Sequence, residues 1–173
     1  MSQLQVPDQM TAVVLDSYSG VEALRVEQRP VPKPGKDEVL VKVAASPINP
    51  SDLATLDGEY GFNNPPPIVP GGEGSGTVDA VGPGPMGRYF LGKRVACLNQ
   101  GVGGGLWAEY MVASTKGGAL PLAKSVSLEQ GALSIINPLT AVAFLEIAKE
   151  GKHKAIVLTA AFPMKRHRWA PTT

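Results

Sequence analysis

Short apolar runs, separated by clusters of glycine, proline and charge, occupy the chain up to about residue 120. Thr11–Leu15 (TAVVL) and Leu24–Gln28 predict two strands, and Glu38–Ala45 (EVLVKVAA) a third. Side chains alternate along a strand, so Val39, Val41 and Val43 share one face. Gly74–Val81, Arg94–Leu98 and Trp107–Ser114 predict further strands. Residues 29–38 (RPVPKPGKDE) form a turn region. Pro50–Leu56 predicts one short helical turn ending near Gly58, and Pro65, Pro66 and Pro67 force extended backbone. Strands of this length and spacing predict a closed or half-closed barrel.

The pattern changes near residue 125. Ser127 to Gln130 has the S-x-x-Q spacing of a capping box and opens a helix. Asn137-Pro138 predicts an N-cap followed by proline at the first helical position, with a second helix over Leu139–Glu150 and Gly151 ending it. That helix is apolar nearly all round (LTAVAFLEIA) and needs cover on several sides. Ala155–Ala160 (AIVLTA) then predicts a short strand buried on both faces. The chain thus reads as a β-rich domain followed by the opening of an α/β domain.

Composition narrows the class. The 173 residues include 43% apolar residues and carry a formal net charge of +1, so no global field recruits nucleic acid or a membrane. Gly 20 and Pro 16 are high, but they collect between the predicted strands, as in a turn-rich β protein. Cys97 is the sole cysteine, which excludes an internal disulfide and suits a reducing compartment. The first ten residues (MSQLQVPDQM) have no apolar segment of the secretory kind, and no apolar run is long enough to span a bilayer. The expected location is cytoplasmic.

Gly82, Gly84 and Gly87 spell G-P-G-P-M-G, a literal match to the phosphate-binding G-x-G-x-x-G. Pro83 and Pro85 remove two of the amides such a loop would use, and Gly92 leaves no room for a long helix. A surface turn is the reading that fits. Cys97, His153 and His167 lie too far apart in sequence to suggest a zinc site, so no metal is expected. No serine sits in a G-x-S-x-G elbow, and Cys97 inside RVACL reads as a small buried hydrophobe.

Five stretches in order, INPSD (48–52), PGGEGSG (70–76), LGKRV (91–95), GGLWAEY (104–110) and NPLTA (137–141), resemble the medium-chain dehydrogenase/reductase superfamily. The nearest likeness is to its zinc-independent quinone oxidoreductase and enoyl-thioester reductase branches. The resemblance covers residues 10 to 161. It implies a mainly β fold: a GroES-like, partly open β-barrel, followed by two helices and the first strand of an incomplete Rossmann domain. The corresponding division is an N-terminal tail (1–9), a GroES-like substrate-side domain (10–124), the start of a cofactor domain (125–161) and a basic tail (162–173). Where zinc-dependent relatives carry a ligand cysteine and histidine, this chain has Asn49 and Gly72, and the second lobe of four cysteines is absent. The Lewis acid that would hold an alkoxide is lost with them.

The resemblance implies hydride transfer from NADPH to an electron-poor carbon of a quinone, enone or enoyl-thioester. Charge developing on the substrate oxygen then needs hydrogen-bond donors. Tyr60, in LDGEYG, resembles the tyrosine of the enoyl reductases; a neutral phenol can donate a hydrogen bond or a proton. Its alternative is a loop tyrosine packed over prolines 65–67. Asn49 matches an asparagine beside nicotinamide or substrate, suited to orientation rather than proton transfer, and its alternative is a turn cap before Pro50. Thr140 matches a threonine near the nicotinamide ring; its alternative is a buried helix threonine bonded back to a carbonyl. Glu73 is expected to be structural, paired or hydrogen-bonded if buried. Trp107 and Tyr110 are expected at core positions of a strand.

In the family a glycine-containing turn and a long helix follow the first Rossmann strand. Here FPMKRHRWAPTT follows, with no glycine after Gly151. The expectation is a shortened chain that retains the substrate-side barrel and is inactive alone. The alternatives are a non-catalytic interaction module and a fragment without a role. Leaving about 400 Å² of the last helix and strand bare forgoes roughly 10 kcal/mol at ~25 cal/mol per Å², so the C-terminal segment is expected to be mobile, to aggregate or to associate with a like or unlike chain. Lys165, Arg166, His167 and Arg168 read as a solvated basic tail rather than a nucleic-acid site.

Overall fold

A computed structural model describes residues 6–60, 64–101 and 104–157. They fall into two units, the first reaching to Leu139 and the second beginning at Thr140.

The first unit is mainly β. Strands β1 (Gln9–Leu15) and β2 (Leu24–Pro30) form an antiparallel ribbon. Strands β3 (Glu38–Ala45), β4 (Glu73–Val81), β5 (Arg94–Leu98), β6 (Tyr110–Ser114) and β7 (Ala119–Pro121) form an antiparallel sheet in the order β6-β3-β4-β5-β7. The ribbon leans on the loops around this sheet. Val13 donates its N–H to the Trp107 carbonyl and Leu15 to the Ile68 carbonyl, both at 2.8 Å. These links curl the strands into a partly open barrel.

The alternation read from β3 is what the barrel uses. Val39 and Val41 are buried in a core with Val78, Phe90, Val95, Cys97, Leu106 and Met111, and Val43 packs against it. Leu40, on the opposite face, joins Met10, Tyr110 and Val112 in a smaller cluster. Covering both faces of the sheet keeps its central strands out of water. The β3–β4 register shifts twice, between Leu40 and Val41 and between Val43 and Ala45. Such bulges bend a strand and tighten its twist, as a barrel wall requires. At the second, a Cβ on Gly76 would stand 2.1 Å from the Lys42 carbonyl oxygen, so only glycine fits there.

A 3-10 turn (Val21–Ala23) and four α-helices complete the described residues: α1 (Pro50–Leu56), α2 (Pro85–Phe90), α3 (Leu128–Ala132) and α4 (Ile136–Glu150). The expected capping box of α3 is present. The Ser127 hydroxyl accepts the Gln130 N–H at 3.2 Å, and the Gln130 side chain accepts the Ser127 N–H at 2.9 Å. α3 packs on the barrel, where the Ser75 hydroxyl donates to the Leu128 carbonyl.

Several expectations change. Helix α4 begins at Ile136, so Asn137 lies inside it rather than capping it. It ends in a left-handed Lys152 (φ 51°), one residue beyond Gly151. His153 donates back to Ala148 at 2.8 Å and Lys152 to Lys149 at 3.0 Å, the paired bonds of a Schellman end. Trp107 to Glu109 precede β6 and turn to β1 instead, through an Ala12–Ala108 bridge; Tyr110 is buried and Trp107 half-buried. Part of the strand expected over Ala155–Ala160 lies outside the described residues, and Ala155 to Val157 carry no strand. The basic tail 162–173 also lies outside them. Helix α4 has no buried residue, and Leu139, Val142, Phe144, Leu145 and Ile147 are exposed.

Candidate functional site

Beside α1 an open groove of about 1050 Å³ runs through the first unit. Ser51, Asp52 and Thr55 of α1 form one side, with Tyr60 just beyond the helix. The 67–72 segment and Asn99–Gln100 after β5 line it too. Tyr60 is 49% exposed. Pro67 lines the same groove.

α1 is placed by local chemistry. Asn49 is its N-cap, in extended conformation, and Pro50 takes a first-turn position where its missing N–H costs nothing. Asp52, three residues on, turns back so that its Oδ2 accepts the Asn49 N–H at 2.7 Å. The other oxygen, Oδ1, accepts the N–H of Gly72 at 3.0 Å. Asp52 is 4% exposed, so both bonds are made largely out of water. One carboxylate therefore joins Asn49 to Gly72. Sequence reasoning passed over Asp52, although the N-x-x-D spacing of NPSD was a visible capping signal.

Glu73 forms the second knot. It is 1% exposed at the start of β4. Oε1 accepts from Asn49 Nδ2 at 3.0 Å, and Oε2 accepts the Ile136 N–H at 2.9 Å. The first helical N–H of α4 is thus met by a carboxylate 63 residues earlier in the chain. This long-range anion is why α4 starts before the asparagine that sequence would place as its cap. Asn49 Oδ1 also receives Asn137 Nδ2 at 3.4 Å. Asn49 is therefore a cap and a junction at once, joined to the groove through Asp52. Thr140 is exposed on α4, in the second unit.

The glycine-rich loop is spent on its own packing. Gly82 donates its N–H to the Glu38 carbonyl at 2.9 Å, and a Cβ there would lie 1.7 Å from the Gly35 oxygen. Pro83 and Pro85 have no N–H to give, and the helix that follows, α2, has six residues. A phosphate finds no cradle on this loop. Cys97 sits fully buried in the core, and burial pushes its thiol up to about 12, the state of an inert hydrophobe. Among the described residues no cluster of three His, Cys, Asp or Glu could hold a metal ion. No described helix is long and apolar enough to cross a membrane.

Residues 35–124, more than half of the chain, match the alcohol dehydrogenase GroES-like domain. The chain belongs to the medium-chain dehydrogenase/reductase superfamily. It is 34% identical over 160 residues to the chloroplastic quinone-oxidoreductase QR1 of Triphysaria versicolor, covering 88% of this chain and 48% of that one. It is 33% identical over 135 residues to the rat synaptic vesicle membrane protein VAT-1 homolog, covering 76% and 32%. A crystal structure assigned as an NADPH:quinone reductase, from Mesorhizobium loti, superposes with a TM-score of 0.78 at 36% identity, covering 86% and 46%. The chain thus spans 32% to 48% of the length of these relatives.

Proposed function

We propose that this chain forms the substrate side of an NADPH-dependent, zinc-free oxidoreductase that reduces a quinone, an enone or an enoyl-thioester. The observation that carries the reading is the groove beside α1, with the Tyr60 phenol on its wall and the Asn49–Asp52–Gly72 junction next to it. An asparagine and a glycine at that junction leave the site with hydrogen-bond donors instead of metal ligands. The relatives named for quinone and NADPH support the substrate class and the cofactor.

NADPH, when bound, supplies the hydride. The described residues give its phosphates no cradle on the 82–87 loop. The Tyr60 O–H donates to the substrate oxygen on which charge grows, and such a donor is worth ~3–4 kcal/mol in a dry site. Ser51 and Thr55 lie on the same side of α1; the Ser51 hydroxyl both donates and accepts, whereas Thr55 gives its proton to the Ser51 carbonyl at 2.9 Å and offers a ligand an acceptor. Asn49 and Thr140 are proposed as neighbours of the nicotinamide. A buried single cysteine suits a cytoplasmic setting.

Titrating the chain with 1,4-naphthoquinone, followed by backbone amide NMR, tests the reading. Shifts confined to Ser51–Thr55, Tyr60 and Asn99–Gln100 are expected. Unmoved groove amides at millimolar quinone would rule it out. A parallel NADPH titration shows whether binding tighter than about 10 µM (roughly −6.8 kcal/mol) accompanies it.

A further inference from the structure

Glu73 does more than neutralise a helix end. An ionised carboxylate accepts hydrogen bonds and has none to give. Its Oε2 is taken by the Ile136 N–H, which can only donate, so its Oε1 must meet a donor too. Asn49 must therefore turn Nδ2 toward Glu73, as it does at 3.0 Å. That choice leaves Oδ1 on the other side of the Asn49 amide, where Asn137 can answer it only with its own Nδ2, as observed at 3.4 Å. Both amide polarities agree with this charge, and the α1 capping box, in which the Asp52 N–H faces the Asn49 side chain, favours the same Asn49 orientation. Glu73 and Asn137 share no hydrogen bond, yet the first dictates which atom the second turns to Asn49.

We propose that Glu73 is a positioning residue that sets the amide polarity of Asn49 and, through it, of Asn137. The chain then presents one defined pattern, an asparagine oxygen at 137 and the remaining Nδ2 hydrogen of Asn49, instead of a mixture of flipped amides. This polarity exists independently of the reductase reading. A glutamine at 73 has one acceptor and one donor end. With its oxygen held by the Ile136 N–H, its NH₂ faces Asn49 and reverses both asparagines in turn.

The test is the side-chain NH₂ region of ¹⁵N–¹H spectra of the free chain, assigned with Asn49→Ala and Asn137→Ala. The native chain should show one Asn49 proton shifted downfield by the carboxylate. Glu73→Gln should abolish that shift and also move the Asn137 NH₂ pair, while the backbone amides of β3 and β5 stay in place. Static Asn137 signals in a folded Glu73→Gln chain would overturn the proposal. Should Glu73→Gln fail to fold, Asn49→Ala reads the second link with Glu73 intact. The Asn137 pair must then move and the Ile136 backbone amide must hold its position; fixed Asn137 signals would again overturn it. Neither result depends on quinone or NADPH, so the proposal and the reductase reading stand or fall separately.

Discussion

Asp52 accepts the backbone N–H of Gly72 at 3.0 Å, fastening the first helix to the loop that enters β4. Its second oxygen holds the Asn49 N–H at 2.7 Å, and the residue is nearly buried. Asp52→Ala would strand two N–H groups away from water, each bonded until then to a charge. The expected loss is about 2–4 kcal/mol in urea denaturation. Asp52→Asn keeps the shape but can satisfy only one of the two donors, and should lose about half as much. Equal stability of all three chains would show that water reaches the junction freely.

Close approach of β3 and β4 depends on Gly76. A methyl there would meet the Lys42 oxygen at 2.1 Å and Val41 Cγ1 at 2.7 Å. Backbone cannot swing aside as a side-chain tip can, so Gly76→Ala should cost at least ~2 kcal/mol, toward the upper part of the range for overpacking. Gly92→Ala is a useful contrast, because its Cβ would meet nothing within 4 Å and only its positive φ of 75° is strained. The midpoint of urea unfolding should fall further for Gly76→Ala than for Gly92→Ala.

Cys97 makes stability fall in alkali. Burial raises its thiol from about 9 to about 12 in the folded chain. Between those values the unfolded chain gives up the proton and the folded chain keeps it, so unfolding is favoured as pH rises. The contribution is fully present below pH 9 and is lost up to pH 12 at no more than ~1.4 kcal/mol per pH unit. Cys97→Ala should show a shallower decline over this window, whatever its stability at neutral pH. Parallel profiles for the two chains would mean that Cys97 ionises in place.

Tyr60→Phe removes one hydroxyl from a half-exposed position and leaves the ring. A neutral hydrogen bond to a ligand oxygen contributes about 1 kcal/mol, so naphthoquinone affinity should drop about fivefold. Thermal stability should not change, since the described phenol has no buried role. An unaltered Kd would return Tyr60 to the status of a loop residue packed near prolines.

The barrel was legible where local pattern and long-range pairing agree. β3 and β5 have their predicted ends because alternation, turn residues and neighbours all favour the same limits. β7 was invisible: three residues with a proline carry no pattern, and only pairing with Val95–Cys97 makes Ala119–Pro121 a strand. α2 hid among the prolines and glycines that also mimic a phosphate loop. The start of α4 could not be read locally, because its first N–H answers to Glu73. At the groove, Asp52 was overlooked because its partner Gly72 lies 20 residues away.

The Ser75–Leu128 and Glu73–Ile136 bonds also bear on how this polypeptide can be divided. Severing it after Lys124, at the edge of the GroES-like match, would deprive a buried hydroxyl and a buried carboxylate of mates that only later residues provide. A workable excision keeps the chain through Leu139, so that the strand side and its distant clasps travel together.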